Sequence, residues 1–314
     1  MMLRNKKTPL TAEQKRLFGL RVRLKKSIPS YLMMAPFMLI FLFFGVAPVV
    51  SAIGISFTNF NMLELPKFVG LMNYERMLLD DDIFAKVLQN TIVFALVTGP
   101  IGYAISFFSA WLINDLPHRL RTFMTLIFYS PALAGNVYFI WTILFSNDEK
   151  GWINGFLMQL GVITDPMLWL TDTKLIMGVL ILVQLWSCLG AGFLSFIAGF
   201  QSLDPTLFEA AALDGIKNRW QELWFVTIPQ MSSNLLFSAV MTIGSSFGVG
   251  TIISAIAGTP TAQYKADTIV TYISEVGTVR FEMGYASAIA VVLFLLMLVT
   301  NFVITRLLQK FSTD

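Results

Sequence analysis

Long apolar stretches alternate with short polar connections along this chain. Six of the stretches contain no Asp, Glu, Lys or Arg, and they cover residues 31–58, 87–113, 122–145, 175–200, 233–258 and 284–305. A helix needs about 20 mostly apolar residues to cross about 30 Å of hydrocarbon. The pattern therefore predicts an all-α, polytopic membrane protein with six transmembrane helices.

Composition supports this prediction and excludes several chemistries. Only 13% of the 314 residues are charged, whereas a soluble domain has about 25%. The chain has one cysteine, Cys188, and one histidine, His118, which excludes an internal disulfide and argues against most zinc sites. The sequence also lacks a Gly-x-x-x-x-Gly-Lys-Ser/Thr loop for ATP phosphates. We therefore predict no metal site, no bound cofactor and no catalytic residue.

Basic residues are concentrated at the N-terminus. Residues 1–30 contain nine Lys or Arg and one acidic residue, so the positive-inside rule places this end in the cytoplasm. An even number of spans then returns the C-terminus to the same side. The first apolar stretch is longer than the roughly 7 to 15 residues of a signal peptide, and we interpret it as a retained span. We thus divide the chain into a cytoplasmic tail, 1–30, and a six-span domain, 31–314.

The role of the tail stays open. Residues 10–26 interleave apolar and basic side chains, as an interfacial amphipathic helix on anionic lipid does. A solvated tail that only fixes the topology explains the composition equally well. The net charge of +3 is small, and it gives little support to nucleic-acid binding.

The connection 201–232 has the pattern of two short helices joined by a turn. Asp204 followed by Pro205 predicts a helix start, and Gly215 predicts the left-handed residue after its end. A second helix is predicted at about 217–226, ending before Pro229. Three consecutive alanines beside larger apolar residues favour a docking surface for another protein, but a linker lying on the membrane is an alternative.

The same connection resembles a known family. Glu209-Ala210-Ala211, Asp214-Gly215 and Val226-Thr227-Ile228-Pro229 resemble the Glu-Ala-Ala loop of binding-protein-dependent ABC import permeases. Here the gap from the glycine to Val226 is one residue longer than in the family pattern, and Val and Ile replace Ile and Leu.

The resemblance implies a type I permease fold and a cytoplasmic loop that docks an ATPase. Glu209 would pair with an arginine of that ATPase, and the coupling residues would be Glu209, Ala210, Ala211, Leu213, Asp214 and Gly215. It also implies a bacterial or archaeal cytoplasmic membrane, a second homologous permease, two ATPase subunits that hold ATP and magnesium, and an external solute-binding protein.

Further motifs resemble the carbohydrate branch of this family. They are Gly151-Trp152-Ile153-Asn154, Gln184-Leu185-Trp186, Gly258-Thr259-Pro260 with Asp267-Thr268, and Gly284-Tyr285-Ala286-Ser287-Ala288. Together they look like the subunit type of the larger maltose permease, without its extra spans and external domain.

The spans contain no charged residue, which favours neutral cargo such as a sugar or oligosaccharide. Aromatic, amide and hydroxyl groups suit such a cargo, and the candidates are Gln184, Trp186, Asn136, Tyr138, Trp141, Ser245, Ser246 and Phe247. Each has an alternative role as an interface anchor or a contact between helices. Glycerol phosphate, an acidic oligosaccharide or a peptide is the alternative cargo within the family.

Two other classes of protein are disfavoured. An ion-coupled carrier normally has intramembrane charges and an inverted repeat, and neither is evident here. An intramembrane enzyme needs a metal pair or a nucleophile and base within the spans, but His118 lies outside them.

Overall fold

The structure is a computed structural model, and it describes residues 27, 29–133 and 138–313. Within these ranges the chain is helical and forms no strand, apart from an isolated bridge between Thr58 and Phe68. The predicted all-α class is confirmed. The predicted interfacial helix at 10–26 lies outside the described residues.

The helices follow the chain in this order: α1 (Pro29–Ile55), α2 (Met72–Leu79), α3 (Asp82–Asn114), α4 (His118–Leu133), α5 (Tyr138–Leu144), α6 (Trp152–Gln159), α7 (Ile176–Ser187), α8 (Ala191–Gln201), α9 (Pro205–Leu213), α10 (Arg219–Glu222), α11 (Ser232–Phe247), α12 (Thr251–Ile256), α13 (Ile269–Ser274) and α14 (Met283–Thr313).

Four helical segments of the described chain are long and apolar enough to cross a membrane. They are Pro29–Ile55, Asp82–Asn114, Ile176–Gln201 and Met283–Lys310. Helices α4 and α5 make a fifth if they form one span. The count of six spans therefore stays a prediction.

The predicted span 233–258 is interrupted in the structure. It consists of α11 and the short α12, with a break over Gly248, Val249 and Gly250. A Cβ at Gly250 would lie 2.6 Å from Cγ1 of Val270, so glycine permits the close approach of α13 here. Glycine also has a low helix propensity, and the apolar composition alone did not reveal the break.

A second break separates α7 from α8. It follows Ser187 and ends at Gly190, which precedes α8 with φ −104° and ψ −139°. Gly190 and Gly192 predict a bend in the span 175–200, and the break lies at Gly190. Gly192 lies inside α8 instead, where its carbonyl accepts a hydrogen bond from Ser238 Oγ of α11 at 2.7 Å.

Asp81 ties three elements together at one end of the helices. Its Oδ1 accepts from the backbone N–H groups of Ile83 (3.0 Å) and Phe84 (2.9 Å), and its Oδ2 accepts from the hydroxyls of Tyr272 (2.7 Å) and Tyr285 (2.5 Å). Burial alone would raise the pKa of this carboxyl, but the hydrogen bonds outweigh burial and lower it. The ionised carboxylate therefore joins the start of α3 to α13 and α14.

The connection 146–172 is organised around Asn154, which is 0% exposed. Its amide nitrogen donates to the carbonyls of Ser146 (3.0 Å), Asp148 (3.1 Å) and Met167 (3.0 Å). Its amide oxygen accepts from Met167 N–H (3.0 Å) and Trp169 Nε1 (2.8 Å). One side chain thus satisfies the buried backbone on both sides of α6.

Candidate coupling loop and transport path

Helix α9 begins and ends where the sequence predicts. Asp204 is the N-cap, its Oδ1 accepts from Thr206 N–H at 2.9 Å, and Pro205 is the first helical residue. The backbone hydrogen bond from Thr206 lowers the pKa of the Asp204 carboxyl. Gly215 has φ +95°, and the following Ile216 N–H donates to Ala211 O at 3.1 Å. Local capping chemistry therefore fixes the length of this helix.

One face of α9 is exposed and the other is covered by the chain itself. Glu209, Ala210, Asp214 and Gly215 are exposed, and Leu213 is 89% exposed. Helix α9 packs on the turn Leu223–Thr227.

Ala211 requires a correction. The resemblance implied that it fills an ATPase cleft, but its side chain is 7% exposed and therefore packs within this chain. Of the residues predicted to couple to an ATPase, Glu209, Ala210, Leu213, Asp214 and Gly215 are exposed.

The second helix of the connection differs from its prediction. It starts at Arg219 rather than 217, and it continues through a π-helical turn, Leu223–Thr227, into Ile228–Gln230. Pro229 therefore lies inside helical structure, although we predicted an end before it. The turn is closed by a hydrogen bond from Ile228 N–H to Leu223 O, and its wider geometry explains how a proline is accommodated without the usual clash.

The connection 201–232 lies at the end of α3. Arg219 forms an ion pair with Asp115, and its guanidinium carbon lies 4.8 Å from the centre of the Trp111 ring. The rings of Trp111 and Trp220 are 5.0 Å apart. The connections 114–121 and 201–232 therefore lie at the same end of the helices. The sequence alone did not indicate the contacts among Trp111, Asp115, Arg219 and Trp220, because no periodic pattern links positions so far apart.

Replacing Gly215 by valine is expected to destabilise the loop. The φ of +95° disfavours a β-branched residue by about 1 to 2 kcal/mol, while no heavy atom lies within 4 Å of a Cβ built there. We expect faster proteolysis of the loop and reduced uptake. Gly178→Val is the control, because a Cβ at Gly178 also meets nothing within 4 Å but its backbone is helical. Equal protease sensitivity of the two variants would contradict this prediction.

The cargo candidates on α5 and α7 form one group with Ser245 of α11 beside the break between α7 and α8. Gln184 is 6% exposed and its Nε2 donates to Ser245 O at 3.4 Å. The rings of Trp186 and Trp141 are 5.4 Å apart, edge to face. Tyr138 packs against the same apolar cluster as Trp141. Asn136 lies outside the described residues.

Ser246 and Phe247 belong to a second group. They line a cavity of about 480 Å³ between α3, α11 and α14, whose other lining side chains are mostly apolar. The hydroxyls of Ser245 (2.9 Å) and Ser246 (2.8 Å) both donate to Thr242 O one turn earlier. The predicted path residues are therefore divided between two places, and both serines are satisfied by their own helix.

Comparison with known proteins places the chain in a family. Residues 102–313 match the family described as the binding-protein-dependent transport system inner membrane component. A “Probable ABC transporter permease protein YesP” of Bacillus subtilis is 32% identical over 92% of this chain and 92% of its own length. The arabinooligosaccharides transport system permease protein AraP of Bacillus subtilis is 28% identical over 92% of this chain and 91% of its own length.

The fold agrees with this assignment. A crystal structure of a bacterial ABC transporter involved in the import of the acidic polysaccharide alginate contains a similar chain, with a TM-score of 0.75 and 22% identity over 93% of this chain and 98% of that one. Such permease subunits are not catalytic, and the ATPase is a separate chain. This chain therefore belongs to the binding-protein-dependent transport system inner membrane components, and it is a multi-pass permease subunit of an ABC importer.

Proposed function

We propose that this subunit passes a neutral sugar or oligosaccharide across the cytoplasmic membrane and that α9 couples this transport to a separate ATPase. The observation that carries the coupling proposal is the exposed face of a rigidly capped helix, with Glu209 and Leu213 outward and the opposite face packed on its own chain. We place this helix in the cytoplasm, because the basic tail favours a cytoplasmic N-terminus.

The transporter would contain a second homologous permease, two ATPase subunits and an external binding protein. ATP binding would draw the ATPases together and push the α9 helices of both permeases, which would change the access of the path from one side to the other. ATP hydrolysis would return the path to its original access.

A neutral cargo is supported by the chemistry beside the break between α7 and α8. Gln184 offers an amide, and Trp141 and Trp186 offer flat aromatic faces. Helices α5, α7, α8 and α11 contain no charged side chain, whereas a path for an anionic cargo would normally require one. The arabinooligosaccharides permease AraP and a lactose permease, LacF of Rhizobium radiobacter, are 28% and 27% identical to this chain.

Gln184→Leu tests the path. Losing a hydrogen bond from Gln184 to the cargo, worth about 0.5 to 1.5 kcal/mol, predicts an increase of about 2 to 13-fold in the substrate concentration for half-maximal uptake. The measurement is uptake of labelled sugar into proteoliposomes that contain the complete transporter. Gln159→Leu is the control, since Gln159 is exposed at the end of α6 and lies outside the connection 201–232. If both variants behave alike, Gln184 does not contact the cargo.

The identity of the cargo is tested separately. The binding protein is titrated with neutral oligosaccharides, an acidic oligosaccharide and glycerol phosphate. We expect tight binding and competition for uptake only by neutral sugars. Preference for an anionic ligand would contradict the neutral cargo and leave the coupling proposal intact.

A further inference from the structure

A cavity separates α9 from the nearest span ends. It has a volume of about 400 Å³, with Pro205 and Phe208 of α9 on one side and Trp111, Asn114 and Phe200 of α3 and α8 on another. Force from α9 is therefore not transmitted by close packing across this region. The chain itself links α9 to α8 through residues 202–204, and the second helix of the connection offers a further route from the docking face to α3.

Arg219 and Trp220 provide contacts along the edge of this cavity. The turn Leu223–Thr227 packs against α9 and directly follows the helix that contains these two residues. Arg219 pairs with Asp115 and lies over Trp111, and Trp220 lies against Trp111. A continuous series of contacts thus runs from α9 through the second helix to the end of α3.

Helix α3 extends this connection toward the path. Ser106 Oγ donates to Cys188 O at 3.3 Å, at the break between α7 and α8. A Cβ at Gly102 would lie 3.1 Å from the Cβ of Cys188, so the two helices are in close contact. Tyr103 OH donates to Leu235 O of α11 at 3.3 Å. These contacts link α3 to the break between α7 and α8, beside Gln184.

We propose that Arg219 and Trp220, held on Asp115 and Trp111, are positioning residues that transmit movement of α9 to α3. This inference rests on the proposed coupling function of α9. The side chains of the Arg219 and Asp115 pair are 50% and 44% exposed, and ion pairs at such exposure contribute little to stability. Removing the pair should therefore impair transmission while the fold persists.

The experiment compares Arg219→Asp, Asp115→Arg and the double variant in the complete transporter reconstituted in proteoliposomes. Three quantities are measured: co-purification of the ATPase, ATP hydrolysis stimulated by the loaded binding protein, and sugar uptake per ATP hydrolysed. Arg119→Asp is the matched control, because it makes the same charge change at an exposed position outside the connection 201–232, and Arg119 forms no ion pair with any residue that the structure describes.

Each single variant should lower uptake per ATP at least 5-fold while the ATPase still co-purifies. The double variant should recover at least half of the lost uptake, since the charges attract again with reversed signs. Arg219→Lys should retain most uptake. A merely structural role would lower assembly and hydrolysis together and would leave uptake per ATP unchanged.

Uptake per ATP equal to that of Arg119→Asp in both single variants would overturn the inference, as would a double variant no better than the single ones. If the transporter with Arg219→Asp fails to assemble, Asp115→Asn decides, because Asp115 lies outside the connection 201–232. Normal uptake per ATP in that variant overturns the inference. Glu209→Lys is measured in parallel. Normal uptake in that variant refutes the proposed coupling function of α9. Reduced uptake in Glu209→Lys alone, with normal uptake per ATP in the Arg219 and Asp115 variants, refutes only the role of Arg219.

Discussion

Uptake is expected to fall at least 10-fold when Glu209 is replaced by lysine, while the protein still inserts and folds. Glu209 is exposed on α9, so the substitution breaks no contact that the fold needs. Losing one partner of an interfacial charge pair costs about 2 to 5 kcal/mol, and a repulsive lysine adds to this. Uptake and the ATP hydrolysis stimulated by the loaded binding protein should therefore both be lost.

The control is Glu149→Lys, the same charge change at an exposed position in the connection 146–172. It should transport normally. Unchanged uptake in Glu209→Lys would contradict the proposed coupling function of α9.

Asn154→Leu is expected to destabilise the protein by at least about 3 kcal/mol, since each buried polar group left without a partner costs about 1 to 3 kcal/mol. The substitution leaves the carbonyls of Ser146 and Met167 and the indole N–H of Trp169 without their buried partner. Leucine is similar in size, so loss of packing does not explain the effect. The measurement is thermal unfolding in detergent.

Gln159→Leu is the control for this prediction, because Gln159 is exposed at the end of α6 in the same connection. Its unfolding temperature should stay close to that of the unchanged protein. An Asn154→Leu variant as stable as this control would show that the amide does not organise the connection.

Local chemistry explains what could be predicted from the sequence. Asp204, Pro205 and Gly215 determine α9 through capping and a positive φ, and these rules depend on neighbouring residues alone. The charge-free stretches likewise predicted the long helices, because burial in lipid requires an apolar segment. The same composition did not reveal the break at Gly248 to Gly250, which depends on the approach of α13.

Contacts between distant segments explain the rest. Ala211 has the same local sequence environment as its alanine neighbours, and only its packing within the chain shows that it is not available to a partner. Arg219 and Asp115 are separated by more than a hundred positions, and nothing in either segment indicates the other. We predicted that the helix ends before Pro229, because proline normally disrupts a helix. The wider π-helical turn before Pro229 accommodates the proline instead.

Crosslinking from position 213 tests the central claim most directly. Leu213 is 89% exposed, and a photo-reactive benzoylphenylalanine in its place would react with whatever covers α9. Position 152, occupied by the exposed Trp152 of α6, provides the control. The coupling role predicts an ATPase adduct from position 213 in the assembled transporter and none from position 152. Adducts from position 213 with lipid alone would contradict it and would assign α9 to the membrane surface.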